Sequence, residues 1–316
     1  MASPSAVPVA REATDLGTPG FSADEIVGGG TVRGSRTRLL GVLPFAVYTL
    51  LFLGVPTFAL VVGAFQSPSG GGFTWDNLHT AFTGVYRHGF WLSIKLSVIS
   101  AVVPAVLGLL LAYAVHTAPR GNLLRRLVTT AAGVFANFGG VPLAFLFIAT
   151  LGTGGSGLAT NWLADIGINL DNYGFNLFGF SGVAVVYLYF QIPLMVLVIT
   201  PALGGLKPAW REAADNLGAS SWAYWRYVGG PVLLPSFLGA TLLLFGSAFS
   251  AYATAEALTS GSIPLTSIQI GSFLNGNVIA GQENVGKALG LGMVIVITIV
   301  MVLYTLLQKR ASKWLR

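Results

Sequence analysis

Residue types that support covalent or metal chemistry are sparse in this sequence of 316 residues. It has no cysteine, and its three histidines, His79, His88 and His116, are scattered. A chain without cysteine has no thiol nucleophile, no thiolate metal ligand and no disulfide. The 11 acidic residues are also dispersed, whereas an integral membrane enzyme needs ionisable groups clustered at one membrane face. The sequence therefore predicts a protein that is not itself an enzyme and has no metal site.

One stretch has the spacing of a phosphate-binding loop. Residues 281–287, GQENVGK, fit G-x-x-x-x-G-K, a pattern in which backbone amides cradle phosphates. The next residue is Ala288, where a Ser or Thr hydroxyl should bind magnesium, and no predicted strand precedes the stretch. We therefore reject a nucleotide site here, and any ATP that drives this protein has to be bound by another subunit.

Two charges lie near the ends of apolar stretches, where ionised groups are costly and often functional. Lys95 is near the start of one stretch, and Glu256 follows AFSAYATA. We expect the Lys95 amine to extend to the membrane surface along its apolar stem. Glu256 either caps a span at the interface or faces a transport path, where its carboxylate would attract a cationic solute.

Polar side chains within apolar stretches are further candidates for a solute path. Asn137 precedes a Gly-Gly-Val-Pro sequence at 139–142, which predicts a bent or broken helix. Discontinuous helices often line transport sites, although hydrogen bonding between helices explains most polar residues in spans. We select Asn137, Gln191 and Tyr252, together with Glu256, as candidate path residues.

The elements that position these residues are predicted to be membrane spans. Hydrophobic residues make up 54% of the chain and charged residues only 9%, far below the roughly 25% of a soluble domain. A span needs about 20 mostly apolar residues. Six stretches qualify, at about 39–65, 91–115, 127–151, 180–203, 232–255 and 288–308. The predicted fold class is all-α, a multi-pass membrane protein with six helices over 38–316.

The basic residues predict how the spans are oriented. All of the 17 Lys and Arg residues except Arg87, Lys95 and Lys287 fall on one side if both termini are cytoplasmic. Positively charged loops remain on the cytoplasmic side, so we expect cytoplasmic termini in a bacterial plasma membrane. The net charge of +6 fits contact with anionic lipid rather than nucleic acid.

Residues 1–37 are rich in Gly, Ser, Pro, Ala and Thr, and this composition predicts a disordered tail.

A polar, tryptophan-rich loop at 205–231 separates the fourth and fifth spans. Pro208 favours a helix start, the run around Glu212 continues it, and Gly218 favours a stop. A second short helix is predicted from Ser220 or Ser221. Three of the seven tryptophans, Trp210, Trp222 and Trp225, lie in this loop. Such rings are good anchors in a protein groove, so we interpret the loop as a docking element rather than a plain connection.

At this loop the sequence resembles the permease subunits of binding-protein-dependent type I ABC importers. The family pattern is EAA, three residues, Gly, nine residues, an aliphatic residue, one residue and Leu-Pro. This chain has EAA at 212–214, then Gly218, Val228 and Pro231, with Gly230 where leucine is usual. The resemblance covers about 90–310 and implies that the loop docks on an ATPase. The implied coupling residues are Glu212, Ala213, Ala214, Gly218, Trp222 and Pro231.

The resemblance also implies partners and cofactors. Two copies of an ATP-binding subunit would bind ATP and magnesium, and this chain would bind no cofactor. A second permease subunit, identical or homologous, would complete the pore, and an extracytoplasmic binding protein would deliver the solute. Several stretches look most like the polyamine, phosphonate and ferric-ion permeases. A sugar importer is the alternative within the class, and an ion-coupled secondary transporter is the alternative outside it.

Overall fold

The computed structural model describes residues 35–67, 71–119, 123–153, 157–276 and 282–312. Most of the predicted disordered tail, residues 1–34, lies outside this part, as does Gly281 of the GQENVGK stretch. The chain divides into two compact units, Met1–Pro56 and Thr57–Arg316. The described part of the first unit is helical, and the second unit contains both candidate functional regions.

The described residues form helices, and an isolated antiparallel bridge between Gln66 and Phe73 is their only strand-like pairing. The helices are α1 Ser35–Thr49, α2 Val55–Ala64, α3 Asp76–Ala81, α4 Gly84–Thr117, α5 Leu123–Asn137, α6 Val141–Leu151, α7 Leu158–Asp165, α8 Phe180–Gly204, α9 Pro208–Asn216, α10 Ser221–Tyr224, α11 Gly230–Ser250, α12 Ala253–Thr259, α13 Thr266–Leu274 and α14 Glu283–Ser312. Two π-helical turns, Leu50–Gly54 and Trp225–Gly229, lie between α1 and α2 and between α10 and α11. The prediction of an all-helical fold is confirmed.

The described residues contain five helical stretches that are long and apolar enough to cross a membrane. A sixth crossing is formed if the bent pair Arg125–Asn137 and Val141–Leu151 counts as one span. The five are Val42–Ala64, Gly84–Thr117, Phe180–Gly204, Ser221–Ser250 and Asn284–Leu307. Each predicted span therefore has a counterpart, but two of them differ from the prediction in shape or extent.

The predicted third span is broken. Its two helices, α5 and α6, meet at an angle of 107°. The break lies at Gly140, whose φ of 75° and ψ of −151° are accessible to glycine and strained for other residues. The Gly-Gly-Val-Pro sequence thus produces a sharp break rather than a gentle bend.

The predicted fifth span, 232–255, was wrong at both ends. Its helix runs without interruption from Ser221 to Ser250, so the second half of the 205–231 loop already belongs to this helix. The chain then leaves the helix at Ala251 and starts a separate short helix, α12. Tyr252 consequently lies beyond the span rather than within it, and Glu256 belongs to α12.

The core of the second unit has α4 and α8 at its centre. One apolar cluster lies between α4, α8, α11 and α14, and the other joins α4 and α8 to α6, α12 and α13. Gly108 of α4 lies so close to α8 that an added Cβ would be 2.6 Å from the Met195 Cβ. Small residues allow helices to approach closely in lipid, where dispersion contacts replace the hydrophobic effect.

Candidate functional site

The 205–231 loop forms a compact pair of helices at the end of α8. Pro208 is in the first turn of α9, as predicted, because proline lacks the amide hydrogen that a first turn leaves unpaired. The helix ends at Asn216. Gly218 then adopts a left-handed φ of 73°, and Ser220 caps α10 by accepting a hydrogen bond from the Ala223 amide at 3.2 Å.

The turn between these two helices explains the spacing of the EAA and glycine residues. The Ala219 amide donates to the Ala214 carbonyl oxygen at 2.9 Å, and the Gly218 amide donates to the Asp215 carbonyl oxygen at 3.0 Å. These are the two bonds of a Schellman motif, in which glycine supplies the left-handed residue. Ala214 and Gly218 must therefore be four residues apart for the chain to turn here.

Glu212 and Trp222 extend away from the turn toward solvent. Both side chains are exposed, Trp222 by 73%, and Glu212 makes no side-chain hydrogen bond or ion pair to the described residues. Ala213 and Ala214 face the other way, into a groove of about 430 Å³ between α9 and the Ser221–Ser250 helix. The groove is almost entirely apolar and is lined by Trp210, Ala213, Ala214, Leu217, Ala219, Ala223, Tyr224, Tyr227, Val228 and Val232.

Gly230 and Pro231 lie where α10 passes into the span. The Gly230 amide donates to the carbonyl oxygen of Trp225, five residues back, and this bond closes a π-turn. A Cβ on Gly230 would collide with that same oxygen. Pro231 follows in the first turn of α11. The departure from leucine at 230 therefore coincides with a local widening of the helix that a side chain would obstruct.

Trp225 faces inward, which the sequence did not predict. Its ring centroid is 5.2 Å from that of Tyr113 in α4, in an edge-on arrangement, and 5.7 Å from that of Tyr224. Of the three loop tryptophans, Trp225 is thus part of the bundle packing, whereas Trp222 is free at the surface. The π-turn rotates residues 225–229 relative to a regular helix, so a 3.6-residue pattern does not locate Trp225 correctly.

A second candidate region lies at the break in the third span. Asn137 and Tyr252 line one cavity of about 320 Å³, although they are more than a hundred residues apart in the chain. Side chains that were not among the selected path residues also line it, namely Phe190, Ser247 and Thr254. The Gly140 amide donates to the Thr254 hydroxyl at 2.8 Å, so this bond joins the two interrupted helices, α5–α6 and α11–α12, beside the cavity.

The cavity can bind a small solute through amide and hydroxyl groups and aromatic rings. None of the residues that line it is charged. The Asn137 side-chain amide donates to the Gly133 carbonyl oxygen at 2.9 Å, which leaves its own oxygen as an acceptor. The Tyr252 ring packs on Gly271, where a Cβ would lie 2.5 Å from a ring carbon.

The other two predicted path residues do not line this cavity. Gln191 is completely buried, and its side chain donates to the Leu244 carbonyl oxygen at 2.9 Å, joining α8 to α11. Glu256 is half-buried on α12, and one of its carboxylate oxygens is buried with no hydrogen-bond partner among the described residues. Gln191 therefore joins two helices while its side-chain oxygen is buried without a hydrogen-bond partner among the described residues. Glu256 is an incompletely paired carboxylate close in sequence to the cavity residues 251–254.

The structure also places the GQENVGK stretch and Lys95. The GQENVGK stretch is helical from Glu283 onward, so residues 283–287 do not form a phosphate-binding loop. Lys95 lies in α4 about three turns after its start at Gly84, deeper in the helix than predicted. Its side chain is exposed, with the amine 5.4 Å from the centroid of the Phe180 ring.

The comparisons with known proteins agree with the arrangement of the loop and the spans. Residues 105–316 match a family model described as "Binding-protein-dependent transport system inner membrane component". The matched region begins within α4 and includes the loop, the cavity and every later span.

Several curated permeases share part of this sequence. The thiamine transport system permease protein ThiP of Escherichia coli (strain K12) is 26% identical over 56% of this chain and 31% of its own length. The sulfate transport system permease protein CysT of the same strain is 29% identical over 48% of this chain and 52% of its own length. A spermidine/putrescine transport system permease protein PotC homolog of Mycoplasma genitalium is 28% identical over 31% of this chain and 34% of its own length. The chain thus spans between a third and about half of the relatives it matches.

A solved structure has the same fold. A chain from a bacterial ABC transporter involved in the import of the acidic polysaccharide alginate superposes with a TM-score of 0.68. The superposition covers 88% of this chain and 97% of that one, at 19% sequence identity.

Proposed function

The chain belongs to the family of binding-protein-dependent transport system inner membrane components, and from this membership we propose that it is the permease subunit of an ATP-driven type I importer. The observation that carries the proposal is the helix pair at 208–224. Its first helix exposes Glu212, its turn has the spacing of the EAA motif, and its second helix continues into a span as far as Ser250. A force on the loop would therefore act directly on a membrane helix.

In this proposal the ATP-binding sites are on other subunits. Two ATP-binding subunits bind ATP and magnesium, and each contacts an EAA loop on the cytoplasmic side. The distribution of Lys and Arg predicts that both termini are on this cytoplasmic side as well. A second permease, identical or homologous, completes the pore, and an extracytoplasmic binding protein delivers the solute. The helical state of residues 283–287 supports the absence of a nucleotide site from this stretch.

For the solute, we favour a small cation. The cavity at the break in the third span offers an amide oxygen, hydroxyls and the rings of Phe190 and Tyr252. Aromatic faces attract cations, and Glu256 supplies the negative charge nearest to the cavity in sequence. The relatives include permeases for thiamine and for spermidine and putrescine, which are cations and suit this chemistry, and also a permease for sulfate, which does not. Lys95 would be the counterpart for an anion.

The first experiment tests attachment of the ATPase. The chain is purified in mild detergent from its native membrane, as wild type and as Glu212→Lys. We expect an ATP-hydrolysing subunit to co-purify with the wild type and to be lost, or to hydrolyse ATP without solute stimulation, in the variant. Reversing the charge of an exposed, unpaired residue should not unfold the helix, so loss of the partner would locate the contact.

Asp165→Lys is the matched control, because Asp165 is an exposed acid at the end of α7, outside the loop. It should retain the ATPase. Absence of any ATPase from wild-type preparations would contradict the proposal and favour an ion-coupled transporter. Solutes are then compared by stimulation of ATP hydrolysis in a panel of spermidine, putrescine, thiamine and sulfate.

A further inference from the structure

Arg211, the residue before the EAA sequence, contacts both helices of the loop. Its Nε is 3.1 Å from the Asp215 carboxylate, one turn along α9. Its Nη2 donates to the Ser221 hydroxyl of α10 at 2.7 Å. Its guanidinium carbon is 5.2 Å from the centroid of the Tyr224 ring. We call these three contacts the Arg211 bridge.

The aromatic residue of the Arg211 bridge, Tyr224, is buried in the packing of the helix bundle. Tyr224 is only 6% exposed, and its ring packs against Trp225, which contacts Tyr113 in α4. A line of side-chain contacts therefore runs from α9 through Arg211 and the two aromatic residues to the second span. Arg211 also contacts the fifth span itself, because Ser221 and Tyr224 belong to the Ser221–Ser250 helix.

The remaining packing between α9 and this helix is incomplete. The apolar groove of about 430 Å³ between them is open, so side chains there do not lock the two helices together. The backbone link is four residues, 217–220, with Gly218 at its centre. Gly218 and Ala219 bond back to α9, so the rotation that this link leaves open lies between Ala219 and Ser220, and by itself it would let α9 swing relative to the span.

We propose that Arg211 is a positioning residue that makes α9 and the Ser221–Ser250 helix move as one body. The inference rests on the proposed function, since the moving force would come from the partner ATPase. With the bridge in place, displacement of α9 reaches the fifth span directly and the second span through Trp225. Without the bridge, the turn at 217–220 absorbs the displacement.

Arginine suits this role because its guanidinium is a planar fork with several donors. One nitrogen binds Asp215 while another binds Ser221, and the guanidinium lies over the Tyr224 ring. A lysine has a single nitrogen on a flexible stem and cannot reproduce all three contacts. An exposed ion pair by itself contributes little to stability, so the proposal depends on the three contacts acting together.

The first test measures the position of α9 directly. The chain has no cysteine, so the only labelling sites are those introduced by Ala209→Cys, exposed at the end of α9 far from the 217–220 link, and Arg226→Cys. Pulsed electron paramagnetic resonance then gives the distribution of distances between the two spin labels in detergent or nanodiscs. We expect one narrow distribution for the otherwise wild-type chain and a broad one for Arg211→Ala, with Arg211→Lys between them. A distribution in Arg211→Ala as narrow as in wild type would overturn the proposal.

The second test measures coupling in the complex with the co-purified ATPase. We expect Arg211→Ala to retain that subunit but to take up about tenfold less solute per ATP hydrolysed, equivalent to about 1.4 kcal/mol. An unchanged ratio would overturn the proposal. This ratio separates a positioning role from mere loss of folded protein, which would lower uptake and hydrolysis together.

Lys207→Ala is the matched control, because it removes a nearby positive charge at the N-cap of α9 whose amine lies over the Trp210 ring of the same helix. It should leave both the label distances and the coupling ratio unchanged. If Arg211→Ala does not fold, Arg211→Lys gives the answer in both tests. If no ATPase co-purifies with wild type, the proposed function fails, while the label distances still decide whether the bridge holds α9.

Discussion

The Ala219 amide donates to the Ala214 carbonyl oxygen at 2.9 Å. This bond closes the last turn of α9 on the second alanine of the EAA sequence. The chain reverses because Gly218, between them, has a positive φ. The EAA-to-glycine spacing is thus a helix and its C-terminal cap, and it determines where α9 ends.

Gly218→Ala should loosen this turn. A left-handed conformation costs a non-glycine residue about 1–2 kcal/mol, and no atom lies within 4 Å of the position of an added Cβ, so the penalty comes from the backbone alone. We expect faster proteolysis within 205–231 and weaker ATPase co-purification, measured by limited digestion and pull-down. Gly204→Ala, with equally open space and no positive φ, is the control and should behave as wild type.

Gly230→Leu should destabilise this chain even though leucine is the residue usual in the family pattern. The new Cβ would collide with the Trp225 carbonyl oxygen, so the π-turn would have to rearrange at a cost of about 1–3 kcal/mol. We expect a fall of several degrees in the apparent melting temperature in detergent. An unchanged melting temperature would show that the π-turn is dispensable.

The control for that substitution is Gly133→Leu. Gly133 is also helical, and an added Cβ meets nothing within 4 Å. The same change in side-chain volume should therefore have little effect there. Equal destabilisation at both positions would mean that the bulk of leucine, rather than the π-turn, is responsible.

Gly108→Ala should separate the second and fourth spans. Its Cβ would lie 2.6 Å from the Cβ and 2.8 Å from the Cγ of Met195, and 2.9 Å from the Ile192 carbonyl oxygen. Because Cβ and backbone atoms cannot rotate away, the helices themselves must shift. We expect a melting temperature lower by about 3 °C or more. The double variant with Met195→Ala should not recover the loss, because the Met195 Cβ and the Ile192 carbonyl remain and truncation of the buried Met195 leaves a cavity.

The Glu256→Gln variant should show whether the transported solute is a cation or an anion. The substitution conserves volume and removes only the charge, so the fold should be retained. If the solute is a cation, we expect uptake to fall about tenfold, equivalent to about 1.4 kcal/mol of lost attraction, measured with radiolabelled solute in proteoliposomes. Lys95→Gln should then have little effect.

The opposite pattern would contradict the cation proposal. If Lys95→Gln abolishes uptake and Glu256→Gln does not, the solute is an anion. If both variants transport normally, the charge of these two residues does not matter. The Asn137→Ala and Tyr252→Phe variants then test whether the neutral cavity alone selects the solute.

The sequence by itself determined the membrane spans, because a stretch of about 20 apolar residues has few alternatives in lipid. It also determined the turn of the 205–231 loop, since Pro208, Ala214 and Gly218 act through local backbone bonds. Local chemistry of this kind can be predicted from the order of the residues, and the structure contains each of these elements, although the third span is broken and the fifth begins and ends earlier than predicted.

Only the tertiary structure decided how distant segments meet. Asn137 and Tyr252 share a cavity because Gly140 breaks one helix and Ala251 ends another, and Gln191 lies elsewhere because it bonds across to Leu244. The inward position of Trp225 depends on a π-turn, which shifts the helical register by one residue. The break at Gly140 can be predicted from the Gly-Gly-Val-Pro sequence. Which segments meet there follows from packing between elements far apart in the chain, and no local pattern encodes that.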